Sequence, residues 1–239
     1  MFNLKILPYC VMCIFGVVFI SLFLAMRVKK ATPKAAAAKA MTSVCFILAW
    51  LVLARQNMTD FALFIGGGLV FGLLGDIWLD LKFCYPQDDD LFTKLGFSSF
   101  AVGHFFFIAA IVSGASDGFD LKAFLCALGV AVLVALVVFF GEKPMKLHYG
   151  SYKMISTLYG ALLFFMTAFA IFTALFSGVN ANRHLLFMGI GGVFFAVSDL
   201  ILSGTYFGEG KNRPVDIITN HVTYYLAQFI IAGSLALMK

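Results

Sequence analysis

The sequence predicts an all-α bundle of eight membrane-crossing helices, and three observations predict it. Hydrophobic residues make up 62% of the 239 and charged residues only 12%, about half the charge a soluble domain carries. The apolar residues fall in eight runs, each close to the ~20 residues that cross a hydrocarbon core. Short polar connections separate the runs, which favours antiparallel neighbours in a compact bundle. The runs use up the chain, so it reads as one integral membrane domain over 1–239.

Taken in order, the predicted spans are 7–26, 37–54, 60–81, 96–113, 122–140, 152–174, 184–204 and 215–237. The first ends in Arg27, Lys29 and Lys30 and has no small-residue cleavage site, so it reads as a retained helix rather than a signal peptide. Ala35–Ala40 reads as the start of the second helix. The Asp88, Asp89 and Asp90 run reads as a solvated loop capping the fourth, and Glu142 as loop charge. Cys10 and Cys13 form a C-x-x-C inside an apolar run, without histidine or polar company, and read as small packing residues.

Basic residues then orient the bundle. Arg27, Lys29, Lys30, Lys34, Lys39, Lys82, Lys94, Lys143, Lys146, Lys153, Lys211 and Arg213 fall on one side, twelve in all. Lys5, Arg55, Lys122, Arg183 and Lys239 fall on the other. Positive loops stay cytoplasmic, so both termini are expected outside the cytoplasm. The expected setting is a plasma membrane, in bacteria the inner one. The excess of positive charge is spent on topology, not on nucleic acid.

An internal similarity links the third and seventh spans. Aligned on Asp76 and Asp199, they share Gly68 and Gly191 eight residues earlier and Phe71 and Phe194 five earlier. A small residue, Gly75 or Ser198, precedes each acid. His104 follows Asp76 by 28 residues and Gln228 follows Asp199 by 29. Helices 3–4 and 7–8 are therefore expected to form a parallel repeat of the kind membrane proteins use.

Ionisable groups inside spans cost ~2.5–3.5 kcal/mol each at a lone helix centre and mark function. Helix direction puts Asp76, Asp80 and Asp199 late in descending helices. It puts His104, Tyr159, Tyr224, Tyr225 and Gln228 early in ascending ones. All eight converge at one depth, toward the cytoplasmic side. Asp76 and Asp80 are four apart and share a face. His221, Tyr224, Tyr225 and Gln228 make a polar stripe on helix 8. Asp76, Asp199, His104 and Gln228 are expected to line one cavity, with Asp80 nearer its rim. Bland readings compete: polar glue between helices for His104, an interfacial aromatic belt for the tyrosines, and simple solvation for Asp80 and His221. Asp76 and Asp199, single acids in apolar runs, fit none of these.

GLLGDIWL (72–79), Gly103-His104, the Tyr159 and Met166 pair, VSDLIL (197–202) and TYYLAQFIIAGSL (223–235) together resemble the YhhN-like membrane proteins, a family that includes the animal lysoplasmalogenases. The resemblance covers about 60–237. It departs in helix 4, where Phe107 stands in place of an expected tyrosine three residues after the histidine. It implies eight helices and an alkenyl ether hydrolase that cleaves lysoplasmalogens to a fatty aldehyde and a glycerophospho-base. It also implies that Asp76 and Asp199 are the essential acids. Asp80, His104, Tyr159, Tyr224, Tyr225 and Gln228 are then expected to bind the lysophospholipid substrate, which enters from the bilayer. No cofactor is demanded; a metal held by Asp76, Asp199 and His104 is an alternative for which no metal-ligand spacing argues. On residues alone, a proton-coupled small-molecule transporter is the alternative.

Overall fold

The computed structural model describes residues 6–208 and 213–238, so Lys5, Lys211 and Lys239 lie outside the described residues. The helices are α1 (Leu7–Arg27), α2 (Pro33–Ala54), α3 (Asp60–Cys84), α4 (Asp89–Gly114), α5 (Leu121–Phe140), α6 (Lys153–Phe176), α7 (Arg183–Phe207) and α8 (Pro214–Gly233). No strand occurs among the described residues. Helices α1 to α7 are long and apolar enough to cross a membrane. The eighth is not among them, because Asn220, His221, Thr223 and Gln228 lower its hydropathy. It is nevertheless packed between α2 and α7, where bundle neighbours surround its polar face.

Three helix boundaries differ from expectation, each for a local reason. Thr32 accepts from the Ala35 amide, and Pro33 stands at the first helical position. These start α2 four residues early and place Lys39 inside the helix. A 3-10 turn at Pro86–Asp88 leads into α4, whose first turn carries Asp89 and Asp90 where negative charge suits the helix dipole. Polar residues to Lys94 thus begin a helix that a hydropathy window would trim. The chain after Gly233 tightens into a 3-10 turn, Ser234–Leu237. Glu142 is more than loop charge. It accepts from the Tyr149 amide at 2.7 Å and pairs with Lys153 at 3.2 Å, which holds its carboxyl below the usual range. The His148 amide donates to Phe207 O at 2.8 Å, tying this loop to the end of α7.

Six helices close a ring in the order α2, α3, α4, α6, α7, α8 and back to α2. Two helices sit outside it: α1 against α2 and α8, and α5 against α6. Of α1 only Gly16 and Phe23 are buried, and of α5 only Ala123, Ala127 and Ala131. The alanines recur every four residues and let α5 approach closely, while Leu121, Leu125, Leu128, Val132, Leu136 and Phe140 are exposed.

The contacts repeat with a period of four helices: α2 meets α8 as α6 meets α4. Residue pairing supports this. A Cβ on Gly68 would enter the Phe107 ring, and one on Gly191 would enter Ile231. Phe107 and Ile231 lie three residues after His104 and Gln228 respectively. Gly103 sits against Gly68 O, and Gly191 against Ala227 O, each 3.1 Å from a built Cβ. Gly96 lies near Gly75 O, and in the second half Asn220 donates to Ser198 O at 2.8 Å. The parallel repeat thus relates α3–α4 to α7–α8, as expected. The ring order extends it to the halves α1–α4 and α5–α8.

Candidate active site

Asp76, Asp80, Asp199 and Tyr159 gather toward the end of the bundle where the α1–α2, α3–α4, α5–α6 and α7–α8 connections lie. His104 and Gln228 do not share the expected depth. Gly103 packs on Gly68 O and Ala227 O on Gly191, beyond the middle of α3 and α7 from the acids. The reason is that α4 begins earlier than hydropathy predicts and Gln228 lies about four turns into α8. Asp76 is buried in α3. Its Oδ2 accepts from Ser43 Oγ at 2.6 Å and from the Tyr224 hydroxyl at 2.8 Å. Its Oδ1 lies 3.4 Å from Lys39 Nζ. One turn on, Asp80 Oδ1 lies 3.5 Å from the same nitrogen, so one lysine serves both acids. Asp80 Oδ2 is buried without a partner.

The surrounding side chains fix these in place. The Tyr225 hydroxyl donates to Lys39 O at 3.1 Å and lies 3.1 Å from Ser43 Oγ. Gln228 Nε2 donates to the Tyr224 hydroxyl at 3.0 Å. Gln228 reaches this position because Gly72 opposite has no side chain: a Cβ there would stand 2.9 Å from Nε2.

Asp199 of α7 has a sparser setting. The Tyr159 hydroxyl donates to its Oδ2 at 2.5 Å, and among the described residues no cation pairs with it. Behind Tyr159, His104 Nε2 lies 3.5 Å from the tyrosine hydroxyl, and His104 Nδ1 is buried without a partner. His104 also packs edge-on against Phe195. Asn220 clamps Ser198, the residue before Asp199, through its carbonyl at 2.8 Å and its hydroxyl at 2.9 Å.

Two cavities share Asp199, Leu202 and Tyr206 as walls. A polar one of about 90 Å³ is lined by Arg27, Lys39, Asp76, Asp80, Asn220 and Tyr224, with Asp199. An apolar one of about 550 Å³ lies among α5, α6 and α7, lined by Leu133, Val137, Gly160, Leu163 and Phe164, with Tyr159 and Asp199. The polar cavity has the volume of several waters. The apolar one is in the range of small-ligand sites.

Of the sequence-predicted residues, Asp76, Asp80, Asp199 and Tyr224 line the polar cavity and Tyr159 the apolar one. His104, Tyr225 and Gln228 stand behind these walls and hold them. The expected single cavity lined by Asp76, Asp199, His104 and Gln228 therefore differs: the two acids share it and the other two do not. Helix periodicity identifies the inward face, but on a ring helix with neighbours on both sides much of that face contacts protein rather than void.

Sequence reading missed Lys39, Ser43, Asn220 and Arg27. Lys39 was counted as loop charge, yet it is buried among α2, α3 and α8. The Thr32-Pro33 start signal was the clue: it makes Lys39 the seventh helical residue of α2, and Ser43 follows one turn later on the same face. Among the described residues no three His, Cys, Asp or Glu side chains converge as metal ligands.

No curated protein and no solved structure matches this chain. One family model does, over residues 34–235, which takes in α2 with Lys39 and Ser43 as well as both aspartates. That span covers nearly the whole ring and every wall of the two cavities except Arg27, and on it the protein belongs to the YhhN family.

Proposed function

We propose that this protein is an alkenyl ether hydrolase that cleaves the vinyl-ether bond of lysoplasmalogens. The observation that carries the reading is Asp199 on the wall of both an apolar and a polar cavity, the second of which it shares with Asp76. A single-chain alkenyl lipid has the same layout. Its hydrocarbon chain suits the apolar cavity and its glycerophospho head the polar one, which brings the vinyl ether to Asp199.

The chemistry divides between the two acids. A vinyl ether hydrolyses by protonation of its β-carbon, which leaves an oxocarbenium ion at the α-carbon. Water adds there, the water's proton returns to a carboxylate, and the hemiacetal collapses to a fatty aldehyde and the glycerol hydroxyl. Asp199, with no cation beside it and Tyr159 orienting it, is assigned the proton donor. Asp76, held by Lys39, Ser43 and Tyr224, is assigned the carboxylate that faces the cation and guides the water. Two carboxyls in unequal surroundings divide roles in this way in glycoside hydrolysis. The positive-inside distribution supports a polar cavity that faces the cytoplasm.

Paired acids in two similar halves also suit a proton-coupled carrier. The off-centre position of the acids in their helices favours the enzyme, since carriers bind near the midplane.

The test is incubation of purified protein with a lyso-alkenyl lipid in D₂O, followed by trapping of the aldehyde. The expected product carries one deuterium on the carbon next to the carbonyl, and the saturated ether of equal chain length yields nothing. Absence of aldehyde, or equal cleavage of the saturated ether, contradicts the proposal.

A further inference from the structure

Two polar atoms at the polar cavity are left without partners. Arg27 lines it from the end of α1, with its Nε buried and unpaired. Its guanidinium stacks on the Phe83 ring, 3.9 Å from the centroid. Asp80 Oδ2 is the second. Burying such atoms unpaired is costly. The neighbouring lysines are already engaged. Lys39 is engaged by Asp76 and Asp80, and Lys82, whose ring partner Tyr206 borders the cavity, is engaged by Asp89 at 3.4 Å. Arg27 and Asp80 themselves are beyond ion-pair distance among the described residues. Among the described residues the cavity therefore offers a cation without an ion-paired anion and a carboxylate oxygen without a donor.

From this geometry we infer that Arg27 and Asp80 form a two-point site for a zwitterionic head group bearing a phosphate and a primary ammonium, as in phosphoethanolamine. The inference rests on the proposed function for the direction in which the lipid lies. Arginine presents a fork of donors that matches phosphate oxygens. Asp80 Oδ2 accepts from any N–H or O–H donor that enters, and a primary ammonium supplies a charged one where a trimethylammonium supplies none. With the ether at Asp199, the phosphate is assigned to Arg27. Arg27 lies just before the matched residues 34–235.

The test is equilibrium binding to the full-length protein in lipid nanodiscs, using saturated 1-O-alkyl probes of one chain length that cannot be cleaved. The probes are alkylglycerol and the alkyl lysophospholipids with ethanolamine, N-monomethyl-, N,N-dimethyl- and trimethyl-ethanolamine heads. The ethanolamine probe should bind at least about tenfold tighter than the trimethyl probe, the loss of one charge-assisted hydrogen bond. The main step should come when the last N–H is lost. Arg27→Gln should bring the ethanolamine probe down to alkylglycerol affinity without changing alkylglycerol itself, and Asp80→Asn should level the methylation series. Equal binding of all four phospholipid probes to the wild type overturns the ammonium site. Equal binding of alkylglycerol and phospholipid overturns the phosphate site. These results need no turnover. If the preferences hold while no vinyl ether is cleaved, the hydrolase reading fails and the head-group site stands.

Discussion

Lys39 shows how one side chain can carry a site that residue typing underrates. Its ammonium is the common partner of Asp76 and Asp80, and all three are buried. Removing one member of such a set leaves uncompensated charge, at a cost of ~3–5 kcal/mol. Lys39→Met should therefore lower the melting temperature in detergent substantially, and adding Asp80→Asn should restore part of the loss. Equal melting of Lys39→Met and wild type would show that the acids do not depend on the lysine. Tyr159 makes a second residue-level prediction. Tyr159→Phe keeps the ring but removes the hydroxyl that orients Asp199, so aldehyde release should fall roughly 10-fold or more with little change in melting. The two aspartates were legible because acids in apolar runs stand out. Lysine, serine and asparagine partners were not, because each type is ordinary at a helix end and only the fold shows them turned inward.

At the scale of elements, helix number, order and direction were legible from apolar run length, and ends were not. Capping residues override hydropathy at α2 and α4, and the polar stripe of α8 lowers its score while packing keeps it in the ring. Glycines set how closely the helices approach. Gly68→Val would drive a side chain into Phe107 and force α3 from α4. Overpacking of this kind costs typically ~1–3 kcal/mol, and loss of folded protein in size-exclusion profiles would report it. Gly160 is the opposite case. A Cβ there meets only Val138 and Val134, at 3.8 and 3.9 Å, on the wall of the apolar cavity. Gly160→Leu should leave the fold intact and shift hydrolysis toward shorter alkenyl chains. An unchanged chain-length profile would mean that the chain lies elsewhere.

Across the whole molecule, the faint likeness of spans 3 and 7 is the trace of a larger regularity: two four-helix halves whose acids meet beside one polar cavity. The sequence shows it weakly because only the helix-contact positions, such as Gly68 and Gly191, are held alike. The charge asymmetry survives the reassignment of Lys39, with eleven basic residues against five. Cysteine labelling from the two sides should accordingly find Met145 accessible from the cytoplasm and Asp117 from the opposite face. The reverse pattern would invert the site's orientation. The central claim, that Asp76 and Asp199 together hydrolyse a vinyl ether, is tested most directly by aldehyde release from a lyso-alkenyl lipid by Asp76→Asn and Asp199→Asn. The changes are nearly isosteric, so folding should persist. General acid catalysis is worth about 10²–10⁴-fold, and charge stabilisation of the cation adds to it, so both variants should fall to background. A folded Asn variant of either residue that releases aldehyde at near wild-type rate would contradict the account.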